Sequence, residues 1–94
     1  MTGFELDPLK DQANKQKHGL PLDLGVQVFD AHFIEEQDLR IDYGEARFIA
    51  TGPVAALSGR ICVVVYTWRD SQRRLISFRK ANEEEIARYR SSDT

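Results

Sequence analysis

Two groups of residues in this chain could do chemistry. Lys17 and His18 stand side by side, and Arg69, Arg73, Arg74, Arg79 and Lys80 fall within twelve residues of one another further on. An imidazole and several guanidinium groups suffice for cleaving RNA without a metal. The 2′-hydroxyl attacks the adjacent phosphorus once a base removes its proton. An acid protonates the leaving 5′-oxygen, and cations steady the charge that builds on the phosphorane. Histidine supplies the acid or base step near neutral pH. Arginine offers forked donors to the phosphate oxygens. Other chemistries lack their residues: His18 and His32 are the only histidines, there is no CxxC, and the carboxylates show no metal-ligand spacing. No glycine-rich phosphate loop or Ser-His-Asp motif is visible, so neither a cofactor nor a metal is expected.

Each of these side chains also has a plainer reading. His18 falls where a helix C-terminus favours a cation. Arg69, next to a turn, can simply meet solvent. Arg79 alternates with Phe78, so the two point to opposite faces, and an arginine there can lay its stem over apolar surface. Trp68 can anchor a core or stack on a base. Tyr89 can pack inward with its hydroxyl at the surface. Spacing alone leaves these alternatives open.

The elements that must position these residues are legible in outline. Phe4 and Leu6 alternate with Glu5 as a short strand. Asp7-Pro8 predicts a helix start, because Asp7 can cap free amides and Pro8 needs no donor. That helix runs to about His18, with Leu9 and Ala13 as a narrow apolar stripe, and Gly19 ends it. Pro21 opens a second helix to about Phe29, with Leu22, Val26 and Phe29 at helical spacing. Phe33 to Ile41 reads as an irregular edge strand, and Arg47 to Thr51 as a strand ended by Gly52-Pro53. Arg60 to Trp68 has an unbroken apolar centre and is the expected central strand. Asp70-Ser71-Gln72 is a hairpin turn, and Arg73 to Lys80 the returning strand. Asn82 followed by Glu85 caps a last helix, Glu83 to about Arg90. The sum is an α+β fold, two N-terminal helices packed on an antiparallel sheet with a C-terminal helix.

At 94 residues the prior is one domain, residues 1–94, and 41% hydrophobic residues suffice for a compact core. The single cysteine, Cys62, lies in an apolar run and reads as a buried thiol. No signal peptide or membrane span is visible, which predicts a soluble, cytoplasmic protein. The net charge of −2 is unevenly spread. Residues 1–57 carry five basic and ten acidic side chains, whereas residues 58–94 carry eight basic and five acidic ones. A local basic face can meet phosphate even on an acidic chain. It can also keep a strand edge soluble, and composition by itself favours that second reading.

A family resemblance changes the balance. The chain presents Phe4-x-x-Asp7-Pro8-x-Lys10, then Asn14-x-x-Lys17-His18-Gly19, then Val28-Phe29-Asp30 and Glu45-x-Arg47-Phe48. Val63-Val64-Val65-Tyr66-Thr67-x-Arg69 follows, and last Arg74-Leu75-Ile76-Ser77-x-Arg79-x-Ala81 with Glu85 and Tyr89. This ordered set, from Phe4 to Tyr89, resembles the BrnT family, small toxins akin to RelE-type ribonucleases. The resemblance implies a RelE-like fold, metal-independent RNA cleavage and growth arrest when the toxin is free. It also implies a ribbon-helix-helix antitoxin, BrnA-like, through which the pair binds its own promoter DNA. Carried over, His18 is the acid or base, Lys17 and Arg47 bind phosphate, and Arg69 and Arg79 stabilise the transition state. Arg74 and Tyr89 are expected to touch RNA. Leu6 stands where the family often has tryptophan, Phe78 where it has a small residue, and Glu83-Glu84-Glu85 opens a helix that is usually basic. Phe78 implies altered packing beside Arg79, and the acidic residues argue against strong RNA binding. The alternative is a catalytically weak homologue, kept as an antitoxin-binding partner in transcriptional autoregulation.

Overall fold

The computed structural model describes residues 3–40, 42 and 44–92. Met1, Thr2 and Ile41, which belong to readings above, lie outside the described residues. Strand β1 (Gly3–Leu6) leads into helix α1 (Pro8–His18) and then a 3₁₀ helix over Leu22–Asp30. Strands β2 (Ile34–Asp38), β3 (Arg47–Val54), β4 (Arg60–Arg69) and β5 (Gln72–Lys80) follow, with helix α2 (Glu83–Ser91) last. The five strands form one sheet in the order β1-β5-β4-β3-β2.

Local chemistry accounts for most boundaries. The Asp7 carboxylate accepts from the Leu9 amide at 2.8 Å, Pro8 occupies the first turn, and Gly19 closes α1 with φ at 70°. Asp70 and Ser71 both have positive φ (53° and 64°), the backbone of a tight hairpin between β4 and β5. Asn82 and Glu85 bond reciprocally at the start of α2. Cys62 is buried, and that burial pushes its thiol pKa up.

Four expectations need correction. The sheet is mixed, because β1 runs parallel to β5 while all other pairs are antiparallel. A neighbour 69 residues away leaves no local trace in the strand it pairs with. The second helix is wound 3₁₀ rather than α. At a rise of about 2.0 Å per residue its nine residues reach roughly 18 Å, enough to cross β3, β4 and β5. Strand β3 continues through Gly52-Pro53 to Val54. Strand β2 pairs only with Arg47 to Thr51, so at Pro53 the strand has one neighbour and the missing amide costs no ladder bond. Finally, Leu9 is 75% exposed. The residue that anchors α1 is Asn14, whose amide donates to Leu20 O (2.9 Å) and Phe78 O (2.8 Å) and accepts from Phe78 N (2.8 Å).

The core lies under the 3₁₀ helix, where Leu22 and Val28 meet Ala50, Val64, Tyr66, Leu75 and Phe78. Gly25 makes this contact possible. A Cβ there would stand 3.0 Å from Val64 Cγ2 and 3.3 Å from both Leu75 Cδ1 and Phe78 Cδ1. Gly25→Ala therefore forces the helix off the sheet, and chemical denaturation should show a loss of about 1–3 kcal/mol. An unchanged denaturation midpoint would mean that the helix is not seated this closely.

Candidate functional site

The opposite face of the sheet is left open. Alternation along the strands sends Ile49, Thr51, Val63, Val65, Ser77 and Arg79 there, while Ala50, Val64 and Phe78 turn into the core. A bulge of β5 against Val65/Tyr66 adds Ile76 to the open side. These residues floor a groove of about 550 Å³, a volume usual for small-ligand sites. Helix α1 borders it on the β5 side with Lys10, Ala13, Asn14, Lys17 and His18. Those positions are spaced i, i+3, i+4, i+7 and i+8, so one helix face delivers all five. Glu85 and Arg88 enter from α2, with Glu36 and Arg40 from the β2 side. Five basic side chains thus face two carboxylates around one imidazole.

The imidazole and a guanidinium are close enough to sense each other. The His18 pKa is lowered, first by burial and then by the charges of Lys17 and Arg79. His18 therefore stays neutral to lower pH than a free imidazole, the state a general base requires. Arg79 reaches the groove from β5 opposite Val63. Its Nη1 donates to Glu85 Oε1 at 2.7 Å and its Nη2 to Glu85 Oε2 at 2.8 Å. This parallel pair raises the Arg79 pKa and lowers that of Glu85. Arg88 bonds Glu36 at 3.3 Å across the groove mouth.

Of the site residues named from the sequence, Lys17, His18 and Arg79 line this groove and the others do not. Arg69 lies six residues along β4 from Val63, roughly 20 Å at strand rise. It sits with Arg47 around Glu45, at 3.9 and 3.8 Å. Arg74 turns outward to pair with Glu5 and, at 2.9 Å, with Asp7. Tyr89 donates its hydroxyl to His32 O at 2.8 Å and so fastens α2 to the loop before β2. Trp68 and Arg73 project from the other face. There the Arg73 guanidinium carbon lies 4.2 Å from the Phe29 ring and 4.7 Å from that of Trp68. Lys10, Arg40, Glu85 and Arg88 were missed. The α1 spacing could have revealed Lys10. Nothing local marks Arg40 or Arg88: the pairing of β2 with β3 carries Arg40, two residues past the end of β2, to the groove, and the packing of α2 beside β3 carries Arg88.

Among the described residues no cluster of three or more histidine, cysteine or acidic side chains could hold a metal ion. No described helix is long and apolar enough to cross a membrane.

Comparison with known proteins fixes the class. A family model described as the ribonuclease toxin BrnT of type II toxin–antitoxin systems matches residues 6–85. The fold is that of the Brucella abortus ribonuclease toxin BrnT, whose crystal structure superposes with a TM-score of 0.63 at 24% identity. The superposition covers 88% of this chain and all of that one. No curated protein sequence matches. The molecule is therefore an α+β toxin of the type II class. Its chain belongs to the BrnT family.

Proposed function

We propose that this chain, acting as a single domain over residues 1–94, is a metal-independent endoribonuclease of RelE-like type. In this reading it arrests growth when free in the cytoplasm. A ribbon-helix-helix antitoxin neutralises it and carries the pair to promoter DNA. The observation that carries the reading is one groove holding His18, Arg79 and Lys17 over an open sheet face. Neutral His18 takes the proton from the 2′-hydroxyl, whose oxygen attacks the phosphorus; the P–O5′ bond breaks, and the departing 5′-oxygen takes its proton from solvent water at the open groove. Arg79 meets the oxygens of the phosphorane, and Lys17 with Lys10 holds the phosphate on the α1 side. Thr51 and Ser77 on the floor supply hydroxyls beside the ribose.

The pH dependence has a definite sign. A lowered His18 pKa keeps the base form available as pH falls, so the acid limb of the rate profile lies below the pKa of about 6.5 of a free imidazole. Cleavage of a single-stranded oligoribonucleotide should fall only below that limb in the parent. His18→Ala should lose the limb and about 10²–10⁴-fold in rate. If the purified chain leaves RNA intact while still forming a complex with its antitoxin, the nuclease reading fails and the regulatory partner role stands instead.

A further inference from the structure

We propose that Glu85 is a positioning residue that grips the distal fork of Arg79 and thereby turns the other edge of the guanidinium, Nε and Nη2, toward a phosphate in the groove. The inference rests on reading the groove as the cleavage site. Its basis is the division of donors on Arg79. The bonds from Nη1 and Nη2 to Glu85 use the end-on pair of N–H groups, and Nη1 also reaches Lys80 O at 3.3 Å. Among the described residues Nε and the second N–H of Nη2 have no acceptor. Those two groups form a second fork, spaced to take two phosphate oxygens. Glu85 can therefore stay bound while a phosphate arrives.

Glu85 is itself held rigidly. Its Oε1 accepts from the Asn82 amide at 2.9 Å, and its own amide donates to Asn82 Oδ1 at 2.8 Å. The side chain is 15% exposed. The carboxylate is thus fixed to the first turn of α2 before it meets Arg79. Both of its oxygens face donors, so it holds a guanidinium and does not shuttle a proton. A flexible arginine on a strand becomes a fixed plane, and fixed donors stabilise a transition state without reorganising. A second consequence concerns charge. The carboxylate offsets one of the groove's positive charges, so its loss does not weaken attraction for RNA.

The test is single-turnover cleavage of a fluorescent single-stranded oligoribonucleotide by the parent, Glu85→Gln, Glu85→Ala, Arg79→Ala and the two double variants, with circular dichroism melts. Glu85→Gln keeps an acceptor for the Asn82 amide and so keeps α2. We expect it to lower the maximal rate roughly ten- to a hundredfold, with half-saturation unchanged or lower. In the Arg79→Ala background either Glu85 substitution should cost nothing further. If the Glu85 penalty multiplies with that of Arg79→Ala, the residue acts through the fold and the proposal is wrong. An unchanged or faster Glu85→Gln also overturns it, since the carboxylate would then merely shield Arg79. A parent that does not cleave overturns the cleavage reading itself, a result distinct from either of these.

Discussion

Arg79→Ala slows RNA cleavage by about 10²–10³-fold while leaving a folded protein, the loss expected when one donor aimed at developing charge is removed. The residue is singled out by position. It stands opposite Val63 on the central strand, it faces the open side of the sheet, and it is the β5 guanidinium whose charge reaches His18. Lysine does not replace it. An ammonium cannot hold Glu85 through two parallel bonds and present a second fork, so Arg79→Lys regains only a small part of the rate. Arg69→Ala is the informative contrast. Its guanidinium lies beside Glu45 at the far end of β4, so any effect falls on RNA binding and not on the maximal rate. Single-turnover cleavage across these variants checks the ranking. Parent-like rates in Arg79→Ala would remove Arg79 from the chemistry.

Asn14→Leu unfolds the protein or leaves it barely stable. Asn14 is 3% exposed, and its amide satisfies the N–H and C=O of Phe78 and the C=O of Leu20. Leucine fills a similar volume and pairs with none of them. Each buried group left unpaired costs about 1–3 kcal/mol, against a total stability of about 5–15 kcal/mol for a domain. The loss also reaches the groove, because Asn14 sits on α1 between Lys10 and Lys17 and sets the height of that helix over β5. Urea denaturation followed by circular dichroism reads the effect directly. A loss below about 1 kcal/mol would show that water replaces the amide at this site.

The sequence announces elements better than it announces neighbours. Asp7-Pro8, Gly19 and the Asn82–Glu85 pair fix the ends of both α-helices, because capping is settled within four residues. The apolar run in β4 marks the central strand for the same local reason. The parallel partner of β1, the bulge that adds Ile76 to the open face, and the 3₁₀ winding over Leu22–Asp30 depend on residues distant in the chain. The site divides in the same way. Lys17 and His18 are bound to share a helix end, and Arg79 is bound to oppose Phe78. Alternation reports the face of a strand but not the height along it. Arg69 and Arg79 therefore look equivalent in sequence, and six residues of extended chain separate them in space. Arg73 and Arg74 show the complement: adjacent residues must part, one to the aromatic cluster and one to Glu5 and Asp7.

The amide that anchors α1 also does the work of a missing strand. Strand β1 pairs with β5 only as far as Leu75, so beyond that point β5 would be a bare margin of the sheet. Unpaired margins recruit other chains and seed fibrils or swapped dimers. At Phe78 both main-chain groups are already engaged by a side chain, and a helix stands over them. The helix that carries Lys17 and His18 to the groove thus also blunts this margin against self-association. A variant that loosens it would be expected to aggregate as well as to lose activity.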